Sequence, residues 1–574
     1  MQRNCALLVA VDSSKAEYRY VQEGFFSAFE HFGLPYRVWD LAKGRLTRRE
    51  LDDTSGLVIA QEGMGAELSA AGDEVQQSVE ATGVGLVNFD HRLDSYSPGL
   101  RRMLSGTGGE VSFRQSKGLK VAGNSHFITR PYDGKEKGEF LRSIEVTAGP
   151  SQGREGALVA SLEGHPMLRA CGRGRGRLVQ FLVSPKMWHS EYFGHCCGFD
   201  GLFWRSVVWA ARKPFAMMPM PPFVTAQIDD ASGSASIFGV RPDSANRAFA
   251  YIDVLNRFGY TPHVGLYLDD ITQSDSRILK EKHDKGLAQF AAHAFSDPQN
   301  INEHPICMRH DGTEFSVEEI EENFARVDER FARWGIRVAR TANPHFAETG
   351  VRALPFLEER GARYVVSQGV PFGYNWAGAA EGKHPEWNPR PYGDHGFNYD
   401  SMPDHPEFFN VVSLPLGAHK LKDGSVEFTD FLWGKTRFWD ESRYNRIEEA
   451  GEKGAGIVRL GLDGGFFGCL MSHEQRVATL STAEWEEIVG LTIKLTARYE
   501  RRFALYDDIA EYAKSKYDTK ILEASHNGAS GQVTLRVAGQ ATVPLQVRVF
   551  AGETPECQIR EMPAFAGQQE IRLS

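Results

Sequence analysis

Pro222-Phe-Val-Thr-Ala-Gln-Ile-Asp-Asp-Ala231 is the stretch on which the reading of this chain turns. Phe223 to Ile228 is a β-type run that ends in two adjacent carboxylates, Asp229 and Asp230, with Gly233 in a small-residue loop beyond. Side chains alternate along a strand, but where the chain turns at its end two neighbouring acids can converge on one pocket. One can then hold a cation while the other serves as a base. An Asp-Asp pair also simply opens surface turns, so the flanking segments decide its weight.

Upstream, Lys213-Pro-Phe-Ala-Met-Met-Pro-Met-Pro-Pro222 reads as a linker, since so many prolines cannot continue a helix or a central strand. Downstream, an alternating series runs to about residue 505. Ala245–Phe258 reads as a helix, Thr261–Leu268 as a strand ending at Asp269-Asp270, and Leu287–Ala292 as a short buried strand delivering His293. Ser316-Val-Glu-Glu319 is a capping box. It opens a helix whose Val317, Ile320, Phe324, Val327, Phe331 and Trp334 share one face. Arg340-Thr-Ala-Asn-Pro-His345 follows the next strand, and Arg363–Val366, Phe408–Leu414 and Gly456–Leu462 read as later strands. Phe467–Met471 delivers His473, before a helix capped by Ser481-Thr-Ala-Glu484. Between Gly369 and Pro406 lies a long loop rich in aromatic residues, including Trp376, Trp387, Tyr392, Phe397 and Tyr399. Long loops in compact domains are commonly functional. The rhythm is that of a β/α barrel with its working loops on one rim.

Outside this region the texture differs. Residues 1–215 alternate strand and helix from Cys5–Val11 through Tyr36–Trp39, Gly56–Ala60 and Val84–Phe89, which implies a doubly wound parallel sheet. Its strand ends read Val-Asp-Ser-Ser-Lys15, Ala-Gln-Glu-Gly-Met-Gly65 and Asn-Phe-Asp-His91, and such ends are where these sheets bind ligands. Residues 516–574 alternate as short strands between turns, a small all-β appendage of β-sandwich type. The expected fold class is therefore α/β, with domains at 1–215, 216–515 and 516–574.

The chain has 574 residues and a formal net charge of −10, which argues against nucleic acid or an anionic membrane as a partner. Seven scattered cysteines without a framework pattern suggest a reduced compartment. With no signal-peptide pattern, the expectation is a cytoplasmic chain, or an extracytoplasmic one if a leader was removed.

Asp229-Asp230, His293-Ala-Phe-Ser-Asp297 and His473-Glu474 each follow an expected strand, on the rim where a β/α barrel places catalysis. An imidazole with carboxylates suits a zinc-like divalent ion. On these residues the segment 222–505 resembles the NodB-homology polysaccharide deacetylases, metal-dependent carbohydrate esterases built on a deformed β/α barrel. The resemblance implies Asp229 as base, Asp230 and His293 as ligands and His473 as acid. Two motifs depart from the family. Asp297 stands where its second ligand histidine would, with His304 and His345 as reserves for the third ligand. The Arg-Pro segment is altered, leaving Arg340 as its catalytic candidate and His345 as a metal or substrate contact. The rhythm of 1–215 resembles the glutamine-amidotransferase-like flavodoxin fold, and its lack of a cysteine at Gly85–Asp90 implies a catalytically silent accessory domain.

The resulting expectation is a deacetylase removing N-acetyl, or O-acetyl, groups from an amino-sugar glycan. Its ion would be Zn2+, with Co2+ or Ni2+ as substitutes, and Trp376 and Tyr399 would stack on sugar. Two alternatives stand beside it. One is a glycoside hydrolase using Asp229 or Asp230 with Asp269, Asp270 or Asp463. The other is a non-catalytic glycan-binding protein.

Overall fold

The structure is a computed structural model that describes residues 2–573 except 107–109, 123–124, 149–157, 190, 212–213, 237–240, 297–304, 310–312, 346–348, 367–398, 403–404, 412–430, 433–446 and 553–555. The chain is mixed α/β with sheets rich in parallel pairing. It forms two compact units. One contains Met1–Met220 and Ser515–Ser574, and the other lies between them in sequence, within 221–514.

In the first unit, parallel strands Tyr36–Asp40, Leu7–Val11, Gly56–Ile59, Gly85–Asn88 and Gly176–Phe181 lie side by side in that order. Numbered along the chain this is 2-1-3-4-5, a doubly wound order. Antiparallel strands, among them Pro166–Arg173 and Lys137–Ala148, extend the sheet. Both faces are covered. Leu8, Ala10, Leu57, Ile59 and Leu86 pack with Leu68, Val75, Leu100 and Leu104 from helices on one side. On the other, Phe25, Phe89 and Phe203 meet ring to ring.

The C-terminal segment does form short strands, but it shares them with the N-terminal part. Gln2–Asn4 pairs with Thr519–Asn527, and Phe215–Met217 pairs with Leu545–Phe550. The stretch expected to be a linker thus contains an edge strand. Its three residues lie between the prolines and keep every backbone N–H.

In the second unit, strands Gln289–Ala294, His263–Tyr267, Phe223–Ala231 and Phe467–His473 form a parallel sheet in that spatial order. Thr341–Ala342, Tyr364–Val365 and His405–Val411 run parallel in a second sheet, with Tyr399–Met402 antiparallel at its edge. A parallel bridge from Phe290 to Val338 links the two series. Closure into a barrel is not among the pairings of the described residues.

The capping boxes at Ser316 and Ser481 form as the sequence implies. Helix Val317–Trp334 buries Ile320, Phe324, Val327, Phe331 and Trp334, while Val317, in the first turn, is 54% exposed. Fully burying side chains of this kind stabilises by about 1.5–3 kcal/mol each, so this stripe fixes the helix on its core. One expected strand is a helix instead. Gly456–Leu462 lies inside helix Ile447–Asp463, whose Ala455, Ile457, Val458 and Gly461 are buried. A short apolar run does not by itself distinguish a strand from a buried helix.

Candidate functional site

Strand Phe223–Ala231 is buried along its whole length and carries Asp229-Asp230 within its last three residues, not beyond its end. Regular alternation would send these two side chains to opposite faces. The pairing with His263–Tyr267 slips here: Ile228 is opposite Val264 and Ala231 opposite Leu266, so the first strand carries one residue more. Asp230 adopts φ 58°, the left-handed region that Asp tolerates better than most residues. Such a bulge re-aims side chains. His293 lies at a second bulge, between Ala292 opposite Leu266 and Ala294 opposite Tyr267. It sits within strand Gln289–Ala294, not after it. On the other flank, parallel register sets His473 directly opposite Asp229.

These irregularities gather a buried polar cluster. His293 Nε2 lies 3.0 Å from Asp230 Oδ1, His345 Nε2 3.7 Å from the same oxygen, and His473 Nε2 4.0 Å from Asp230 Oδ2. Tyr267 donates its hydroxyl to Asp230 Oδ1 at 2.7 Å and lies 3.2 Å from His345 Nε2. Asp229, Asp230, His293 and His345 are all buried. Burial alone would raise the Asp230 carboxyl, but His473, His293 and His345 around it hold it well below the usual carboxylate range. Burial opposes charge on His293, yet Asp229, Asp230 and the Asn343 carbonyl raise its pKa.

His293 Nδ1 is 2.6 Å from the Asn343 backbone oxygen. A carbonyl and a carboxylate can only accept, so Nδ1 donates to Asn343 and Nε2 donates to the ionised Asp230, and it is the Nε2 proton that would be given up for this ring to serve as a ligand. The same Asn343 donates its side-chain amide to Asp229 Oδ1 at 2.5 Å, and Gln227 donates to Asp229 Oδ2 at 2.9 Å. Gly265 leaves the room beneath: a Cβ there would lie 3.0 Å from His293 Cγ and 3.1 Å from Asn343 Nδ2. Glu474 turns inward and accepts from the Ser232 and Gly233 backbones at 3.1 and 2.9 Å and from the Tyr251 hydroxyl at 3.2 Å. It thereby ties the loop after Asp230 to the end of strand Phe467–His473.

Asp230, His293 and His345 offer ligand atoms that all lie within 4.8 Å of one another. One carboxylate and two imidazoles are a donor set that fits a zinc-like ion and leaves a coordination position open. The sequence placed His345 among substrate contacts and reserve ligands; here it joins Asp230 and His293. Asp297 and His304 lie outside the described residues, as does Trp376, and of Tyr399 only the backbone is described, at the start of strand Tyr399–Met402. Arg340 is engaged in another cluster, with its guanidinium 2.9 Å from Glu511, and the hydrogen bonds to Asp229 come from Asn343 and Gln227. Of the carboxylates considered for a glycoside hydrolase, Asp269 is bound to Arg326 and Arg330, Asp270 accepts from Ser232, and Asp463 ends a helix. Sequence reasoning passed over Tyr267, Asn343 and Gln227. Only Asn343 left a signal, standing beside Pro344 in the altered Arg-Pro segment.

No protein-family model and no curated protein matches this chain. Among solved structures, it is similar to a protein of Mycobacterium smegmatis assigned as a polysaccharide deacetylase, at 12% identity and a TM-score of 0.34 over 52% of this chain and 94% of that one. It is also similar to a ThuA-like protein from Parabacteroides merdae, at 13% identity and a TM-score of 0.28 over 37% and 90%. A third is the deacetylase domain of BpsB from Bordetella bronchiseptica, at 15% identity and a TM-score of 0.18 over 25% and 62%. At TM-scores this low the likenesses establish neither fold nor activity. No helix among the described residues is long and apolar enough to cross a membrane.

Proposed function

We propose that this chain is a metal-dependent deacetylase acting on an acetylated amino-sugar glycan. The observation that carries the reading is the convergence of Asp230, His293 and His345 within 4.8 Å, beside Asp229 and His473. In this reading Asp230, His293 and His345 hold the ion, with Asp297 as a candidate further ligand. A divalent ion there would supply Lewis acidity and a water acidified to a pKa of about 7. Asp229, oriented by Asn343 and Gln227, takes the proton from the attacking water. His473, on the neighbouring strand end, gives a proton to the departing amine nitrogen, so that amine and acetate leave balanced. Trp376 and Tyr399 are kept as candidate stacking partners for sugar rings.

The test is acetate release from N-acetylated chito-oligosaccharides, measured alongside bound zinc. A chelator should abolish release, and Zn2+ should restore it. Asp230→Asn, His293→Ala and His345→Ala should each lose the ion. Asp229→Asn should keep the ion and lose turnover, because an amide cannot accept the proton. Turnover indifferent to chelation, with cleavage of glycosidic bonds instead of acetate release, would replace this reading with that of a glycoside hydrolase.

A further inference from the structure

The doubly wound sheet carries a second set of ligand-type side chains that this chemistry does not use. Ile59 and Asn88 are register partners on adjacent parallel strands. Three residues beyond each stand Glu62 and His91. Gln180 pairs with Asn88 from the other side, and two residues past the end of its strand Val183 bridges Val146 and so brings Glu145 to the same rim. One ligand atom from each of Glu62, His91 and Glu145 lies within 4.8 Å of the other two.

We propose that Glu62, His91 and Glu145 form a second divalent-cation site, for a first-row transition ion such as zinc or manganese. An imidazole with two carboxylates is a donor set for such ions, and three protein ligands leave coordination positions for water or a ligand oxygen. The place is the carboxyl-end rim of the parallel strands, the edge on which doubly wound sheets bind ligands. The His91 side chain is fully buried, while Glu62 and Glu145 keep 19% and 29% of theirs exposed, so the site opens on one side. The buried ring touches Glu145 at 2.9 Å, and its Nδ1 has no hydrogen-bond partner among the described residues. A buried polar atom left unmet calls for a ligand or a water.

The frame beneath is fixed. Asp90 accepts from the Met64 and Arg92 backbones and from the Tyr96 hydroxyl, each at 2.9 Å, and so ties together the loops bearing Glu62 and His91. The carboxylates are meanwhile balanced by two basic side chains. Arg92 Nη1 lies 2.9 Å from Glu145, and Lys186 Nζ lies 3.7 Å from Glu62. An arriving cation would displace these two.

The experiment counts zinc on the full chain by mass spectrometry of the element and measures affinity by calorimetry, with circular dichroism to confirm the fold. Wild type should hold two ions, Asp230→Asn one, and Asp230→Asn combined with Glu62→Gln none. Glu145→Gln, which keeps the shape of the side chain, should weaken the second ion by about tenfold or more. Wild type with a single ion that Glu62→Gln removes would uphold this site and remove the deacetylase site instead. The proposal is overturned if Asp230→Asn holds no ion, or if its remaining ion is indifferent to both Glu62→Gln and Glu145→Gln.

Discussion

Asn343 serves two neighbours through two different groups: its amide holds Asp229, and its backbone oxygen accepts from His293 Nδ1. Asn343→Ala removes only the first. The expected outcome is full zinc content with kcat lowered about 100-fold, the order of loss for a misplaced reacting group, checked by metal analysis and steady-state kinetics. Loss of the ion in this variant would mean that the amide matters to the histidine as well. Asp229, Asp230, His293 and His473 were legible in the sequence because each stands at the end of an apolar run, where strand chemistry concentrates. Tyr267 was not, because a tyrosine closing a strand reads as core. His345 was legible only as a candidate, since its loop is placed by the pairing of Thr341–Ala342 with Tyr364–Val365 and not by local pattern.

Two β-bulges make the site, and neither has a sequence signature of its own. The strands and helices around them were largely legible from periodicity and capping boxes. Gly456–Leu462 was misread because a short run that is apolar or small except for Arg459 fits both a strand and a buried helix, and only the contacts of Ile457 and Val458 decide. At this scale Glu474 links the end of Phe467–His473 to the turn after Asp230. Burial pushes its carboxyl up to about 8 from 4.5, against the hydrogen bonds from Gly233, Ser232 and Tyr251 that favour its charge. The folded state therefore keeps a proton that the unfolded chain releases above 4.5. Its contribution to stability is fully present below pH 4.5 and lost as pH rises through about 8. Each tenfold change in an acid constant is worth about 1.4 kcal/mol. Glu474→Gln, neutral throughout, should flatten the fall in stability across this window and exceed wild type above it, as measured by urea unfolding at a series of pH values. An unchanged profile would show that Glu474 is ionised in the folded protein.

For the whole molecule, the alternation of strands and helices in 1–215 was legible and its 2-1-3-4-5 order follows the usual winding. The sharing of sheets between the two ends of the chain was not, because strand pairing over such separations leaves no local trace. Removing residues 516–574 would strip Gln2–Asn4 and Phe215–Met217 of their partners and uncover Phe215 and Met217. Exposing these two side chains costs about 3–6 kcal/mol. Calorimetry of the truncated chain should show the first unit melting earlier or not at all, while zinc bound at Asp230 persists; an unaltered melting profile would contradict this. The same pairing sets an order in time. Gln2–Asn4 must wait for Thr519–Asn527, about 500 residues later. At translation rates of about 5–20 residues per second, that is a delay of about 25–100 s. The second unit, encoded in between, emerges whole during the wait. Gln2–Asn4 is therefore made long before its partner exists, and it is during this interval that a chaperone would find its edge open.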